Sequence, residues 1–280
     1  MKATSILAAA TATTIFLFGS CSKSNSDNSA ESIAFEKIDM QKSFRLLGTA
    51  ADFDTEDDLS FGCEADLMLP TALFGNDIST LRDSILSAAF DTCGSPAAEI
   101  VETALRKAAA ETGYATADTI MPDSVIREDP SYLSRYDGFS SSQSYIMNLT
   151  SERLVYAVTN AIYMPRAAHG MYATRYINYD LIGGRVITLP DLVTEDGLAA
   201  LPAAIKDKAK EMAGTIGRTD ISELPADNNY FINADGDIVF AYQPYEVASY
   251  AQGEIQIPIP AYTISDYLTL FGSNFLLGNR

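Results

Sequence analysis

The sequence predicts an α+β fold, in which helices pack on an antiparallel β-sheet meander that follows a smaller N-terminal β-β-α-α subdomain. Two observations predict this fold. Apolar residues alternate with polar ones in several stretches, at the two-residue period of strands with one buried face. Other stretches repeat apolar residues every three or four positions, as helices do. The order β-β-α-α, meander, α, hairpin groups the strands and the helices separately, which is typical of α+β domains.

Residues 1–20 predict a lipoprotein signal peptide. Lys2 carries the only side-chain charge before Cys21, and Ile6–Phe18 is an apolar run too short to span a bilayer comfortably. Small residues stand directly before Cys21, which predicts that this cysteine is acylated and becomes the first residue. An ordinary cleaved signal or a signal anchor is the alternative. The polar residues 21–34 then predict a flexible tether.

The chain is strongly acidic. It has 19 Lys and Arg residues against 37 Asp and Glu residues, a net charge of −18. Removal of residues 1–20 takes away one Lys and no acid, which leaves 18 minus 37, or −19. Such a charge excludes electrostatic binding to nucleic acid or to an anionic membrane surface, and it favours cationic partners. The alternative is that the charges only keep the surface solvated.

Residues 35–139 predict the N-terminal subdomain. Regular alternation over Leu59–Leu69 predicts a half-buried strand, after a less regular strand near Ile38–Leu46. Helical stripes follow over Leu81–Ala89 and over Pro96–Ala108. The two helices are therefore expected to cover one face of the two strands.

Cys63 and Cys93 are the two cysteines that remain after the lipidated one. The cell envelope is oxidising, so an even pair predicts a Cys63–Cys93 disulfide. We expect Cys63 to point inward on its strand, and Cys93 follows the helix that must pack over that sheet. A buried free cysteine is the alternative.

Residues 140–280 predict the C-terminal domain. Strand patterns predict a meander, and they cover 145–149, 154–164, 171–181 and 186–189. A helical stripe begins after Thr194, and Pro202 is predicted to break or kink that helix. A hairpin then pairs residues 230–232 with residues 238–242.

The stretch 237–260 is the most informative part of the chain. Ile238–Tyr242 has the pattern of a strand, and Pro244 ends it because proline has no backbone N–H to donate. Gly253 frees the chain to reverse direction. A second strand with one apolar face follows at Ile255–Ile259, and Pro258 and Pro260 predict that it lies at a sheet edge.

This stretch resembles the end of the extracytoplasmic domain of RsiV-type anti-sigma factors, a domain that also precedes the catalytic domain of PdaC-type peptidoglycan deacetylases. The matching residues are Phe240, Pro244, Tyr245, Glu246, Val247, Ala248, Tyr250, Ala251 and Gly253. Upstream, Ala167–Gly170 and Tyr179–Leu192 look like two further segments of the family. The resemblance covers about residues 140–270 and is weaker over residues 35–110.

The resemblance implies a binding module. In that family the extracytoplasmic domain recognises lysozyme, a cationic glycan hydrolase, and the deacetylase relatives imply peptidoglycan or another glycan as the alternative ligand. The candidate ligand-binding residues are His169, Tyr242, Tyr245, Glu246 and Tyr250. Tyrosine is favoured at interfaces. The alternative is that these side chains lock the corner between strand and turn, and that His169 has a structural hydrogen-bonding role.

The sequence predicts no enzyme: no catalytic residue, no metal site and no cofactor. A single histidine, His169, excludes an ordinary multi-histidine metal site, and no G-x-S-x-G motif is present. The two cysteines lack the CxxC spacing of a zinc site. A calcium loop that starts at Asn233 would require Gly at Ile238 and Glu at Pro244.

These observations together predict a lipid-anchored protein of the bacterial cell envelope, either periplasmic or at the cell surface. Its membrane contact would be the lipid on Cys21. RsiV-type proteins hold a sigma factor with a cytoplasmic segment, and no such segment is expected here, so anti-sigma activity is not expected. The expected partners are lysozyme or another basic protein, or peptidoglycan.

The lipid anchor is testable by substitution. We expect Cys21→Ser to release the protein from the membrane fraction, because the acylated side chain is what would hold it there. Fractionation of cells followed by immunoblotting measures the distribution. Equal solubility of the wild type and the variant would contradict acylation of Cys21.

Overall fold

The structure is a computed structural model that describes residues 11–17, 33–45, 60–111, 138–164, 167–212 and 229–278. It has the predicted α+β fold, with one large mixed sheet, a small antiparallel sheet and helices. Within these residues no helix is long and apolar enough to cross a membrane. Cys21 and the predicted tether lie outside the described residues.

Contacts divide the chain into two compact units. The first unit consists of Met1–Gly75, Arg82–Ser144 and Val158–Tyr172. The second unit consists of Asn76–Leu81, Tyr145–Ala157 and Ala173–Arg280. The chain therefore passes between the units several times. The sequence-predicted domain boundary between residues 139 and 140 stays a prediction.

The large sheet contains seven strands that lie side by side in chain order. They are β1 (Thr11–Leu17), β2 (Ile33–Arg45), β3 (Ser60–Leu73), β4 (Gly138–Leu149), β5 (Arg153–Tyr163), β6 (Met171–Asp180) and β7 (Arg185–Ile187). β1 lies within the predicted signal peptide and pairs with β2. β3 and β4 are parallel. A parallel pair needs a long crossover connection, and the one between these strands contains both N-terminal helices.

In the first unit, the strand pattern of β3 is confirmed. Its alternate residues Phe61, Cys63, Ala65, Leu67 and Leu69 are buried, none more than 2 % exposed. Two helices follow, α1 (Ser79–Phe90) and α2 (Ala97–Glu111). α2 contacts β2 and β3 through residues spaced four apart, namely Ala97, Val101, Leu105 and Ala109. The core of this unit therefore lies between α2 and the sheet.

The predicted Cys63–Cys93 disulfide is not formed in the structure, where both cysteines are free thiols. Cys63 points into the core as predicted, and its burial raises the pKa of the thiol to about 11. Cys93 is exposed in the loop after α1. The two thiols therefore lie in different environments, one buried in the sheet and one exposed to solvent.

The second unit is built around the small sheet. Its strands are β8 (Tyr230–Ile232), β9 (Ile238–Tyr242) and β10 (Ile255–Ile259), and β9 lies between the other two in antiparallel pairing. The hairpin of β8 and β9 was predicted, and so was the strand β10. Two helices precede the small sheet, α3 (Leu189–Leu192) and α4 (Glu195–Glu211).

The prediction that Pro202 breaks or kinks α4 was wrong in its stronger form, because the helix continues to Glu211. The hydroxyl of Thr194 caps the helix by accepting a hydrogen bond from the N–H of Gly197 (3.3 Å). Pro202 is exposed, whereas Leu201, Ile205 and Ala209 are buried against the small sheet. Packing of this apolar face outweighs the cost of an internal proline, about 3 kcal/mol.

The end of the described chain folds back on α3. The N–H of Thr269 donates to the carbonyl of Leu192 (3.0 Å), and the hydroxyl of Thr269 donates to the carbonyl of Asp191 (2.6 Å). Gly272 lies so close that a Cβ atom there would overlap the carbonyl oxygen of Leu192. A glycine at this position is therefore a packing requirement.

We expect Gly272→Ala to lower the free energy of unfolding by about 3 kcal/mol, because the added methyl group overlaps backbone that cannot easily move. Gly62→Ala is the matched control, since its Cβ would lie 3.9 Å from the nearest heavy atom. Urea unfolding followed by circular dichroism measures both. A Gly272→Ala variant as stable as the Gly62→Ala variant would contradict the packing requirement.

Candidate functional site

The Pro-Tyr-Glu motif forms a tight turn directly after β9. Pro244 is buried, and Tyr245 has a left-handed φ of 73°. The N–H of Tyr245 donates to the carbonyl of Ala248 (3.0 Å), and the N–H of Glu246 donates to the carbonyl of Gln243 (3.0 Å). We call residues 243–250 the tyrosine turn.

Two of the predicted ligand-binding residues have structural positions in or beside the tyrosine turn. Tyr242 is 3 % exposed and pairs with Ile255 of β10, so it offers almost no surface to a ligand. The carboxylate of Glu246 accepts a hydrogen bond from the backbone N–H of Gln243 (2.6 Å) and so caps the turn. Glu246 is nevertheless exposed, so its charge remains at the surface.

The other two tyrosines lie at the surface. Tyr245 is 56 % exposed, and its ring centroid lies 5.8 Å from that of half-buried Tyr250. Tyr250 begins a short 3-10 helix that ends at Gln252, and the side chain of Gln252 accepts a hydrogen bond from the N–H of Ser249 (3.1 Å). Short-range hydrogen bonds therefore fix the backbone that carries both rings.

His169 belongs to the first unit, whereas the tyrosine turn belongs to the second unit. Its side chain is exposed, and Nδ1 lies 2.8 Å from the carbonyl oxygen of Gly170. This local contact fits the structural role that was the alternative for this residue.

Gln243 joins the tyrosine turn to β6, and it was not among the sequence-predicted site residues. Its Oε1 accepts a hydrogen bond from the N–H of Thr174 (2.7 Å), and its Nε2 donates to the carbonyl of Thr174 (3.0 Å). The side-chain amide thus forms hydrogen bonds with both the backbone N–H and the backbone carbonyl of Thr174. A neighbouring strand would make the same two bonds.

Asn229 repeats this arrangement just before β8. Its Oδ1 accepts from the N–H of Tyr176 (3.2 Å), and its Nδ2 donates to the carbonyls of Thr174 (3.0 Å) and Ala241 (3.1 Å). The side chain therefore bridges β6 and β9.

Asn178 makes the reverse connection, from β6 toward β8. It is 3 % exposed, its Nδ2 donates to the carbonyl of Tyr230 (3.0 Å), and its Oδ1 accepts from the N–H of Ile232 (2.9 Å). Three side-chain amides, those of Asn178, Asn229 and Gln243, therefore attach the small sheet to β6. We call them the amide ladder.

A half-buried carboxylate lies at the end of the amide ladder. Oε1 of Glu254 accepts hydrogen bonds from the hydroxyl of Tyr176 (2.7 Å) and from Nε2 of Gln256 (2.8 Å). Oε2 accepts from Nε2 of Gln243 (3.2 Å). Burial raises the pKa of Tyr176, and the hydrogen bond to the Glu254 carboxylate raises it further. The phenol therefore stays protonated and remains a donor to Glu254.

The segment that contains the tyrosine turn carries acidic side chains and no basic ones. Residues 229–278 contain five Asp and Glu residues, Asp235, Asp237, Glu246, Glu254 and Asp266, and no Lys or Arg. Across the described part of the chain, no group of three or more His, Cys, Asp and Glu side chains is arranged to hold a metal ion. The site is thus an aromatic and acidic surface.

Comparison with known families identifies the segment that carries this site. Residues 190–262 match the model of a family described as "Protein of unknown function (DUF3298)". The match includes α4, the small sheet and the tyrosine turn, which is where the sequence resemblance was also found. No curated protein sequence matches the chain.

Two crystal structures have a similar fold. A member of the DUF3298 family from Bacteroides fragilis superimposes with a TM-score of 0.70 at 19 % identity, covering 90 % of this chain and all of that chain. A DUF3298 family protein from Pseudomonas aeruginosa superimposes with a TM-score of 0.54 at 16 % identity, covering 86 % of this chain and 97 % of that chain. At these identities the comparisons establish the fold.

We expect Asn178→Ala to lower the free energy of unfolding by about 2–4 kcal/mol, because a buried N–H and a buried carbonyl of β8 would lose their partner. Asn274→Ala is the control, since Asn274 is exposed and its side chain makes no hydrogen bond among the described residues. Thermal and urea unfolding measure both variants. Equal stability of the two variants would contradict the role of the amide ladder.

Proposed function

We propose that the protein is a non-catalytic binding lipoprotein of the bacterial cell envelope, anchored through an acylated Cys21. Its tyrosine turn receives a cationic protein partner, and lysozyme is the partner that the family resemblance favours. The observation that carries this proposal is the ring pair of exposed Tyr245 and half-buried Tyr250, in a segment, residues 229–278, that has five carboxylates and no Lys or Arg.

The chemistry of this surface supports a basic protein as the partner. Tyrosine provides a large contact area with few rotatable bonds, and it is enriched among residues that dominate binding energies. The surrounding carboxylates would attract a cationic protein and orient it before contact. No Lys or Arg of residues 229–278 would compete for those carboxylates.

A glycan is the second candidate ligand, and the tyrosine pair also supports it. The two rings are inclined by 30° to each other, so they present adjoining aromatic faces. Aromatic faces with a few placed polar groups are common in small-ligand sites. Binding of this kind depends little on salt, and this difference separates the two candidates.

The test measures the binding of lysozyme to the purified full-length protein on a biosensor. We expect the association rate to fall at least about tenfold between roughly 50 and 300 mM salt, because exposed charges are screened over about a Debye length. Absence of a complex at low salt and micromolar concentration would remove lysozyme as the partner. Muropeptide binding with little salt dependence would instead support a glycan ligand.

Substitution of Tyr245 tests the location of the binding surface. Tyr245→Ala should weaken lysozyme binding about tenfold or more, because an exposed aromatic contact is removed. The fold should be retained, since alanine meets the same steric cost at positive φ. Tyr262→Ala is the control, because Tyr262 is 72 % exposed in the same unit but outside the turn. Equal effects of the two substitutions would contradict a binding role for the turn.

A further inference from the structure

We propose that removal of the signal peptide opens the edge of β2, and that this edge pairs with the same edge of a second copy of the chain in an antiparallel register centred on Ile38. This inference goes beyond the proposed binding function and rests on one part of it, the cleavage of the chain before Cys21. It assigns the mature protein a dimer interface that the tyrosine turn does not include.

The structure shows a strand seated on this edge. β1 pairs antiparallel with residues 33–39 of β2, with Thr11 opposite Asp39. All seven residues of β1 belong to residues 1–20, so the proposed cleavage removes the whole strand. On its other side β2 pairs with β3 along its full length. In the mature protein β2 is therefore the last strand on this side of the described sheet.

An edge of this length is a template for another strand. In an antiparallel pairing alternate residues direct their N–H and carbonyl groups to each side, so about half of the seven residues lose their partners when β1 is removed. Exposed edge strands pair readily with a strand of another chain. β2 contains no proline, the residue that blocks such pairing. The edge therefore suits an extended segment, as β1 demonstrates within the chain itself.

The charges of β2 favour a second copy as that segment. Lys37 and Asp39 lie on the same face, with Nζ 3.5 Å from the carboxylate, and their side chains are 33 % and 45 % exposed. The same ammonium group lies 3.0 Å from Asp66 of β3, so within one copy it serves two carboxylates. A register centred on Ile38 places Lys37 of each copy opposite Asp39 of the other copy. Opposite charges directly across an antiparallel pair stabilise the pairing.

The neighbouring registers are less favourable. Two copies related by a two-fold axis form an interface in which the central residue faces its own counterpart. Centring on Glu36, Lys37 or Asp39 would place two identical charges directly opposite each other, which is destabilising. Centring on Ile38 instead places two apolar side chains at the axis, on the face where Ile38 is only 5 % exposed. Charge and hydrophobicity therefore select the same register.

Disulfide trapping tests this register in cells that produce the full-length chain. The background is Cys93→Ser, which removes the exposed thiol. Lys37→Cys combined with Asp39→Cys should link two copies, because opposite Cα atoms lie about 4.5–5.5 Å apart, within the range of a disulfide. Either cysteine alone should not link them, because its counterpart would be diagonal, about 7–8 Å away. Non-reducing electrophoresis and mass spectrometry identify the product. Equal dimer yields from the double and a single variant, or a product that contains another protein, would overturn the inference.

Charge reversal provides a second test, measured by sedimentation of the mature protein purified in detergent. Lys37→Glu should weaken the dimer at least about tenfold, because both opposite-charge pairs become like-charge pairs. Adding Asp39→Lys to the same chain restores opposite charges and should return the affinity to within about threefold of the wild type. Lys210→Glu is the control, since this side chain is 58 % exposed in the second unit. Failure of the double variant to recover, or an equal effect of Lys210→Glu, would overturn the inference.

The mass of the purified protein separates this inference from the proposed function. If the mature protein begins at Cys21 and the double cysteine variant forms no dimer, the dimer is wrong and the lipid-anchored binding protein stands. If residues 1–20 are retained, the proposed cleavage is wrong and the open edge with it. If the dimer forms and lysozyme does not bind, the dimer stands and lysozyme is the wrong partner.

Discussion

The backbone of β6 needs hydrogen-bond partners where β7 no longer covers it. β7 pairs only with Asn178–Asp180, so this ladder ends before it reaches Tyr176 and Thr174. The side chains of Gln243 and Asn229 make those bonds, and Asn178 makes the reciprocal bonds to β8. Buried backbone groups are costly to leave unsatisfied, so the position of the small sheet depends on these three amides.

The same contacts also determine the position of the tyrosine turn. Gln243 binds β6 through its side chain, and its backbone N–H is capped by Glu246. The same side chain also donates to Glu254 at the start of β10. One residue thus links β6, the turn that presents Tyr245, and the carboxylate of Glu254. The attachment to β6 and the shape of the turn are therefore coupled at a single amide.

The sequence predicted those features that depend on local pattern and missed those that depend on distant partners. Alternation identified β3, and the Pro244 and Gly253 positions identified the turn between β9 and β10. The prediction that Pro202 breaks the helix was wrong, because burial of the apolar face of α4 stabilises the helix by more than the lost backbone hydrogen bond costs. The Cys63–Cys93 pairing depended on a distant partner, and in the structure both thiols are free, with Cys63 buried and Cys93 exposed. Gln243 and Asn229 carry no local signal, since their partners are 69 and 53 residues away.

The amide ladder also bears on how the second unit fluctuates. The hydrogen bonds of a continuous strand pair open together, as a cooperative unit. A side-chain amide can instead release its backbone partner by a change of rotamer. Hydrogen exchange at the N–H groups of Thr174 and Tyr176 would therefore report on two side chains, those of Gln243 and Asn229, and not on the opening of a strand pair.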